Sequence, residues 1–204
     1  MNADRYFEYA TRIPKGFGTG KASMTDLMLI SEKYRVAIEA KFTEYLQDMK
    51  YGQSIEQWMI ENRENREKVY SGWLEYIKGN KGEHVDDRSF PKNVPYQLFH
   101  RIASAYAGDA SAGAMNGRKP IVVYHLFFEN GNQEKAQSFC TNLSEWKKSM
   151  NLKELGFYVL LTEIELQQEA FKAEDKGNLS KLFNQMKKNK YCKFVSTKAK
   201  DFTA

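Results

Sequence analysis

Two short apolar segments near the start of the chain, each carrying acidic residues, constrain its fold most. The first runs from Asp26 to Ile30, and the second, residues 35–43, reads Arg-Val-Ala-Ile-Glu-Ala-Lys-Phe-Thr. Because a strand directs alternate residues to opposite faces, Glu39 and Lys41 share one face and the large apolar residues share the other. Charges on a half-buried strand cost free energy unless a partner compensates them, and a divalent cation is one such partner.

The spacing of the two segments predicts a β-hairpin. With a turn at Glu32–Lys33, Asp26 faces Glu39 across the antiparallel pair, and directly opposed Cβ atoms lie roughly 4.5–5.5 Å apart. Two carboxylates at that separation repel each other unless a cation lies between them, and their oxygens suit Mg²⁺. The turn residues are not of the Asn-Gly type. A register shifted by one residue, with Asp26 on the opposite face, is therefore the alternative.

The rest of the chain shows alternating helix and strand patterns. Helices are predicted at 3–12, within 44–79, and at 96–106, 133–150 and 177–190. Strands are predicted at 120–128, 156–162 and 192–195. The first strand of the sheet has no distinct signal, and it is placed by default near Ile13 or within 17–24.

This alternation indicates an α/β fold with a central mixed β-sheet flanked by helices. The length of 204 residues fits a single domain, 1–204, in which residues 44–95 form a helical and loop insertion.

Composition limits the partner and the compartment. Lys and Arg number 31 against 26 Asp and Glu, for a net charge of +5, which suits a polyanionic partner without requiring one. Two cysteines, Cys140 and Cys192, without a CxxC pattern, argue against a disulfide framework and a cysteine-based zinc site. The N-terminus lacks a signal-peptide pattern, and no apolar run approaches the roughly 20 residues that span a bilayer. A cytoplasmic protein without membrane contact is expected.

Asp26, followed after 12 residues by Glu39-Ala40-Lys41, resembles the motif of the PD-(D/E)xK nuclease superfamily, which includes many restriction endonucleases and DNA-repair nucleases. The resemblance implies a restriction-endonuclease-like core. It also implies that Asp26, Glu39 and the carbonyl of Ala40 bind Mg²⁺, with Mn²⁺ as a substitute, and that Lys41 positions or activates the attacking water. Thr25 stands where the superfamily often has proline.

The same resemblance extends to further positions. A glutamate on the first helix often takes part in the superfamily's site, which indicates Glu8. Gln97 and Arg101 lie four apart on a predicted helix. They are similar to a glutamine-based pattern of several branches, in which Gln97 would bond a water or a catalytic side chain and Arg101 would pair with a phosphate. Lys15 and Lys21, in a glycine-rich loop, are expected near DNA phosphates.

These positions predict a Mg²⁺-dependent nuclease that hydrolyses DNA phosphodiester bonds, of a restriction or defence type. Double-strand cutting needs two active sites, so a homodimer is expected for such an enzyme. A catalytically inactive nucleic-acid-binding or assembly protein on the same fold is the alternative. A third interpretation is a small α/β protein whose hairpin charges are incidental.

Overall fold

A six-stranded β-sheet lies at the centre of the protein. The computed structural model describes residues 2–42, 52–79, 85–86, 90–108, 117–166 and 192–203. The strands are β1 (Asp4–Thr11), β2 (Ser23–Ile30), β3 (Tyr34–Lys41), β4 (Lys119–Glu129), β5 (Gly156–Leu166) and β6 (Cys192–Asp201). The helices are α1 (Ile55–Ile60), α2 (Arg63–Lys78), α3 (Tyr96–Tyr106) and α4 (Gln133–Met150).

The strands follow one another across the sheet in chain order, β1-β2-β3-β4-β5-β6. The pairs β3–β4 and β4–β5 are parallel, and the other three pairs are antiparallel. Parallel neighbours need long crossover connections, which here carry α3 and α4. The mixed sheet predicted from the sequence is therefore confirmed, and so is the α/β class.

The helices α3 and α4 cover the same face of this sheet. Glu39 on β3 is directly paired with Tyr124 on β4, so their side chains share a face. Glu39 contacts Gln97 on α3, and Tyr124 contacts the ring of Phe139 on α4. On β4, every second residue from Pro120 to Phe128 is buried. The helices α1 and α2, which lie inside the predicted insertion, pack against α3. They place the aromatic ring of Trp73 in the core.

The β2–β3 hairpin has the predicted register. Leu27 pairs with Ile38, and the ladder continues to the pairing of Ile30 with Arg35. At the turn, the Ser31 amide donates to the Tyr34 carbonyl at 2.9 Å, and the Ser31 hydroxyl accepts from the Tyr34 amide at 3.1 Å. This side-chain bond helps to close a turn that lacks the usual Asn-Gly residues. The register shifted by one residue is excluded, but the ladder ends at Leu27 and does not include the predicted pair of Asp26 with Glu39.

The helix predicted at 3–12 is wrong, because these residues form the edge strand β1. Glu8 has a left-handed φ of +52°, and the strand changes face there. The rings of Tyr6 and Tyr9, three residues apart, consequently lie on one face with centroids 5.4 Å apart. A three-residue spacing imitates helical periodicity, which explains the error. The first strand of the sheet is neither near Ile13 nor within 17–24. Residues 12–22 connect β1 to β2, and residues 23–24 already belong to β2.

The connection between β1 and β2 is attached to α2. The amide of Thr19 donates to Asn65 Oδ1 at 2.9 Å, and Asn65 Nδ2 donates back to the Thr19 carbonyl at 2.8 Å. Gly18 has a φ of +62°, and an added Cβ would lie 2.9 Å from Asn65 Oδ1. Glycine therefore satisfies both the backbone conformation and the close approach at this position.

The helix predicted at 177–190 and residues 44–51 of the predicted insertion lie outside the described residues. The last strand, β6, is longer than the predicted 192–195. None of the helices in the described ranges is both long enough and apolar enough to cross a bilayer.

Gly72 on α2 is predicted to be essential for docking the β1–β2 connection. A Cβ at this position would lie 2.7 Å from Phe17 Cβ and 3.3 Å from Ile13 Cβ, so the connection would have to move. We expect Gly72→Val to lower the free energy of unfolding by about 1–3 kcal/mol, measured by urea denaturation. The control is Gly20→Ala, whose new Cβ meets only Val69 methyl groups at 3.5 and 3.7 Å. Equal losses in the two variants would contradict the prediction.

Candidate active site

Glu39 is the centre of a buried polar cluster between β3 and α3. Its side chain is held from three directions, and the residue is only 3% exposed. Oε1 accepts a hydrogen bond from Gln97 Nε2 at 2.9 Å and lies 3.0 Å from Lys41 Nζ. Oε2 forms an ion pair with Nη2 of Arg101. The structure thus brings together four residues that the sequence analysis singled out.

The geometry of the two elements produces this convergence. Residues two apart on a strand share a face, so β3 presents Glu39 and Lys41 together toward the helix. Residues four apart on a helix lie one turn apart on one side, so α3 presents Gln97 and Arg101 toward the sheet. Arg101 is 2% exposed, and the carboxylate of Glu39 neutralises it there. Its predicted partner, a phosphate, would have to share Arg101 with Glu39.

Asp26 lies where the ladder between β2 and β3 ends. The ladder ends with the pair of Leu27 and Ile38. One residue further along β2, Asp26 Oδ2 accepts a hydrogen bond from the Ala40 amide at 2.7 Å. A residue in an extended strand sends its N–H and C=O to the same side, so the Ala40 carbonyl is directed toward the same gap. Asp26 is exposed, and its Oδ1 has no hydrogen bond within the described residues.

At the level of Asp26, the alternation of side chains between the two faces of the sheet is interrupted on both β1 and β2. On β2, Thr25 and Met28 are both fully buried although they are three residues apart. On β1, the pairs on either side of Glu8 are intact, but Glu8 itself has a φ of +52°. Thr25 lies on the side of β2 that faces α3, where its hydroxyl accepts from Arg101 Nη1 at 2.7 Å.

Glu8 was predicted on a helix, and that position is wrong. It lies on β1, between the residues that pair with Thr25 and Leu27, and therefore at the level of Asp26. It is exposed and makes no hydrogen bond to the Glu39 cluster within the described residues. Lys15 and Lys21 are exposed on the β1–β2 connection.

Tyr124 is a member of the site that sequence reasoning missed. It is buried beside Glu39 on the neighbouring strand. Burial raises the pKa of its hydroxyl, and the negative charges of Glu39 and Asp26 raise it further, against an opposing effect of Arg101. The hydroxyl therefore stays protonated, and the two carboxylates act on the same buried group. Its position follows from the β3–β4 register, which a single sequence does not reveal.

A chain of hydrogen bonds leads from Arg101 to His100. Arg101 Nη1 donates to the Ser23 hydroxyl at 3.4 Å, and the Ser23 hydroxyl lies 2.7 Å from His100 Nδ1. Because Arg can only donate, Ser23 accepts from Arg101, and its hydroxyl also shares a hydrogen bond with His100. Burial lowers the pKa of His100 to about 3, helped by the charges of Arg101 and Lys41. His100 is therefore neutral at physiological pH.

The ligand atoms that this site offers are oxygens, the type that a hard cation prefers. Asp26, Glu39 and the Ala40 carbonyl offer oxygen, which Mg²⁺ and Mn²⁺ prefer over nitrogen and sulfur. Within the described part of the chain, no three Asp, Glu, His or Cys side chains form a group that could hold a metal ion. A cation here would therefore depend on these two carboxylates, the carbonyl and water, and it would share Glu39 with Lys41 and Arg101.

Comparison with known proteins places the chain in a family. Residues 2–175 match the family described as Domain of unknown function (DUF6946), and the chain belongs to that family. No curated protein and no solved structure matches the chain.

The ion pair between Glu39 and Arg101 is predicted to stabilise the fold. Arg101→Met leaves the buried carboxylate with Lys41 alone as its cation. We expect a loss of roughly 3 kcal/mol in the free energy of unfolding, measured by urea denaturation. The double variant Glu39→Gln with Arg101→Met should lose less than the two single losses added, because the charge is removed with its partner.

The control for this cycle is Arg63→Met on α2. Arg63 is 81% exposed and pairs with Glu67 at 2.8 Å, and exposed pairs contribute little, so a change within about 0.5 kcal/mol is expected. Strictly additive losses at Glu39 and Arg101 would show that the two residues are not coupled.

His100 is predicted to make stability depend on pH. In the folded state it stays neutral down to its pKa of about 3, whereas in the unfolded chain it binds a proton below about pH 6.5. The stability that neutral His100 contributes is thus present above pH 6.5 and is lost as pH falls toward 3, by up to about 1.4 kcal/mol per pH unit. Urea denaturation at pH 7.5 and at pH 4.5 measures the free energy of unfolding of the natural protein and of His100→Asn. On going from pH 7.5 to pH 4.5, the natural protein should lose more of this free energy than the variant does. A difference that is constant with pH would refute the prediction.

Proposed function

We propose that this member of the DUF6946 family is a Mg²⁺-dependent nuclease that hydrolyses DNA phosphodiester bonds. The observation that carries the proposal is the presence of two carboxylates and a lysine around Ala40 at one end of β3. The Asp26 carboxylate reaches the amide of Ala40, and the Glu39 carboxylate lies 3.0 Å from the Lys41 ammonium. Two carboxylates beside a lysine form the donor and charge set that phosphodiester hydrolysis with a hard cation requires.

Each residue has a task that its contacts support. Gln97 and Arg101 hold the two oxygens of Glu39 and so fix the orientation of its carboxylate. The Ala40 amide holds one oxygen of Asp26 and leaves the other for a ligand. Lys41, 9% exposed, supplies a positive charge where negative charge builds on the phosphate oxygens. A bound Mg²⁺ would lower the pKa of a coordinated water and neutralise charge on the phosphate.

We also assign a restriction-endonuclease-like core to the sheet. The superfamily orders its core elements as helix, three strands, helix and strand. In this chain, β1, β2 and β3 form an antiparallel meander, and α3 and the parallel strand β4 follow. The elements β1, β2, β3, α3 and β4 correspond to the last five elements of that order and so support the assignment. No helix precedes β1 within the described residues.

The charge distribution supports a polyanionic substrate. The chain carries a net charge of +5, and Lys15 and Lys21 are exposed on the connection that leads into β2. Exposed cations bind phosphates largely by releasing counterions, which makes the affinity depend on salt. A homodimer would supply the second site that a double-strand cut needs.

One observation favours the alternative of a non-catalytic nucleic-acid-binding protein on the same fold. Lys41 and Arg101 already neutralise Glu39, and Gln97 satisfies it further. A buried carboxylate with these partners needs no metal ion to compensate its charge. In this second function, the Glu39 cluster would hold α3 against the sheet. The β1–β2 connection, with Lys15 and Lys21, would bind nucleic acid.

The nuclease proposal predicts metal-dependent cutting that depends on the three central residues. Plasmid and linear DNA are incubated with the purified protein in Mg²⁺, Mn²⁺ or EDTA, and cleavage is followed by gel electrophoresis. We expect cutting with either metal and none in EDTA. Asp26→Asn, Glu39→Gln and Lys41→Met should each reduce the cleavage rate roughly 100-fold or more.

Lys33→Ala is the matched control for the lysine variant. Lys33 is exposed at the hairpin turn, at the other end of β3, so its loss should leave the rate unchanged. DNA retention without cutting, unaffected by EDTA and lowered by salt, would reject the nuclease and support the binding protein. Neither cutting nor retention would reject both.

A further inference from the structure

A cavity of about 410 Å³ adjoins the Glu39 cluster. The β1–β2 connection and the start of β2 form one side of it, with Lys21 and Ser23. The helices α1, α2 and α3 form the other side, with Trp58, Arg66 and His100. This volume falls in the range of roughly 300–1,000 Å³ that small-molecule sites occupy. It can hold a single nucleotide but is too small for stacked base pairs.

An ordered aromatic stack forms one wall of the cavity. The rings of Trp58 and Tyr96 are parallel within 8°, with centroids 3.8 Å apart. The guanidinium carbon of Arg66 lies 5.2 Å from the Trp58 ring centroid. Arg66 is fixed in turn, because it donates to the Trp58 carbonyl and pairs with Glu61. Tyr96 covers one face of the Trp58 ring and Arg66 covers the other. The guanidinium plane of Arg66, which lines the cavity, is therefore the surface of this stack on which an unpaired base would lie.

The other walls offer charge and hydrogen bonds. Lys21 is exposed at the cavity and has no ion pair within the described residues, so its ammonium group is available for a phosphate. The Ser23 hydroxyl shares a hydrogen bond with His100 Nδ1 at 2.7 Å, and Nε2 is the second polar atom of the imidazole at the cavity. Hydrogen-bonding groups, a cation and a stacking wall are the three kinds of group that a nucleotide requires.

The cavity is connected to the candidate active site through two shared residues. Ser23 lines the cavity and also accepts a hydrogen bond from Arg101, whose Nη2 pairs with Glu39. His100 and Arg101 are adjacent on α3, so one helix contributes to both places. A nucleotide in the cavity would therefore lie beside a phosphate bound at Glu39 and Lys41.

We propose that this cavity binds one unpaired nucleotide of the substrate strand, next to the phosphate that is cut. The proposal rests on the proposed function, and it adds a substrate class: single-stranded DNA, or duplex DNA from which a nucleotide has been extruded. Extruding a nucleotide costs unpairing and unstacking free energy. The stack and the cation of the cavity would offset that cost.

Calorimetric titration in EDTA tests the cavity without cleavage. The probes are the four deoxynucleoside monophosphates, a single-stranded trinucleotide, a deoxynucleoside and inorganic phosphate. We expect the monophosphates and the trinucleotide to bind more tightly than the deoxynucleoside or phosphate. Trp58→Leu removes the ring that supports the Arg66 plane and should weaken their binding about tenfold. Lys21→Ala should weaken it a few-fold and should lower the slope of log affinity against log salt by about one.

Matched controls separate the cavity from general effects. Trp146→Leu on α4 and Lys33→Ala at the hairpin turn remove the same residue types away from the cavity, and neither should alter binding. If Trp58→Leu does not fold, Lys21→Ala still tests the proposal, because replacing an exposed lysine should leave the fold intact. Equal affinity for phosphate and the monophosphates, or unchanged binding in Lys21→Ala and Trp58→Leu, would overturn the proposal.

The cavity and the nuclease can fail separately. Metal-dependent cutting that requires Asp26, with no nucleotide binding and an unchanged KM in Lys21→Ala, would reject the cavity alone. Nucleotide binding that requires Lys21, without cutting in any metal, would reject the nuclease and keep the cavity as a nucleotide site.

Discussion

A buried ion pair between a strand and a helix, Glu39 with Arg101, is the contact on which the rest of the site depends. It fixes α3 against β3, and it sets the distance between Gln97 and the carboxylate that Gln97 bonds. The same guanidinium reaches the hydroxyls of Thr25 and Ser23 on β2. One side chain thus connects β2, β3 and α3. A buried charge that lost these partners would be costly, so the arrangement is specific as well as stabilising.

The sequence was sufficient for the parts of the fold that local patterns determine. The hairpin register follows from alternation on β3 and from the position of the turn, and it is confirmed by the pairing of Leu27 with Ile38. Helix α4 begins and ends where its apolar spacing predicts, at Gln133 and Met150. Clustering of Glu39 with Arg101 could be anticipated only through a family resemblance, because the two residues are 62 positions apart.

Other features depend on contacts that no local pattern encodes. Tyr124 joins the site through the parallel pairing of β3 with β4, and neutral His100 reflects burial between α3 and the β1–β2 connection. The cavity beside them needs residues from three helices and a loop, so it exists only in the folded chain. The first strand was misread because Glu8 interrupts its alternation, which a sequence pattern cannot distinguish from a helix.

The left-handed residue in β1 also bears on self-association. β1 is an edge of the sheet, and an edge strand offers unpaired backbone groups that can template pairing with another chain. Phe7, 77% exposed beside Glu8, adds an adhesive apolar group. The break at Glu8 prevents a continuous ladder from forming along this edge. An interruption of this kind makes the edge a poorer template for pairing with a second chain.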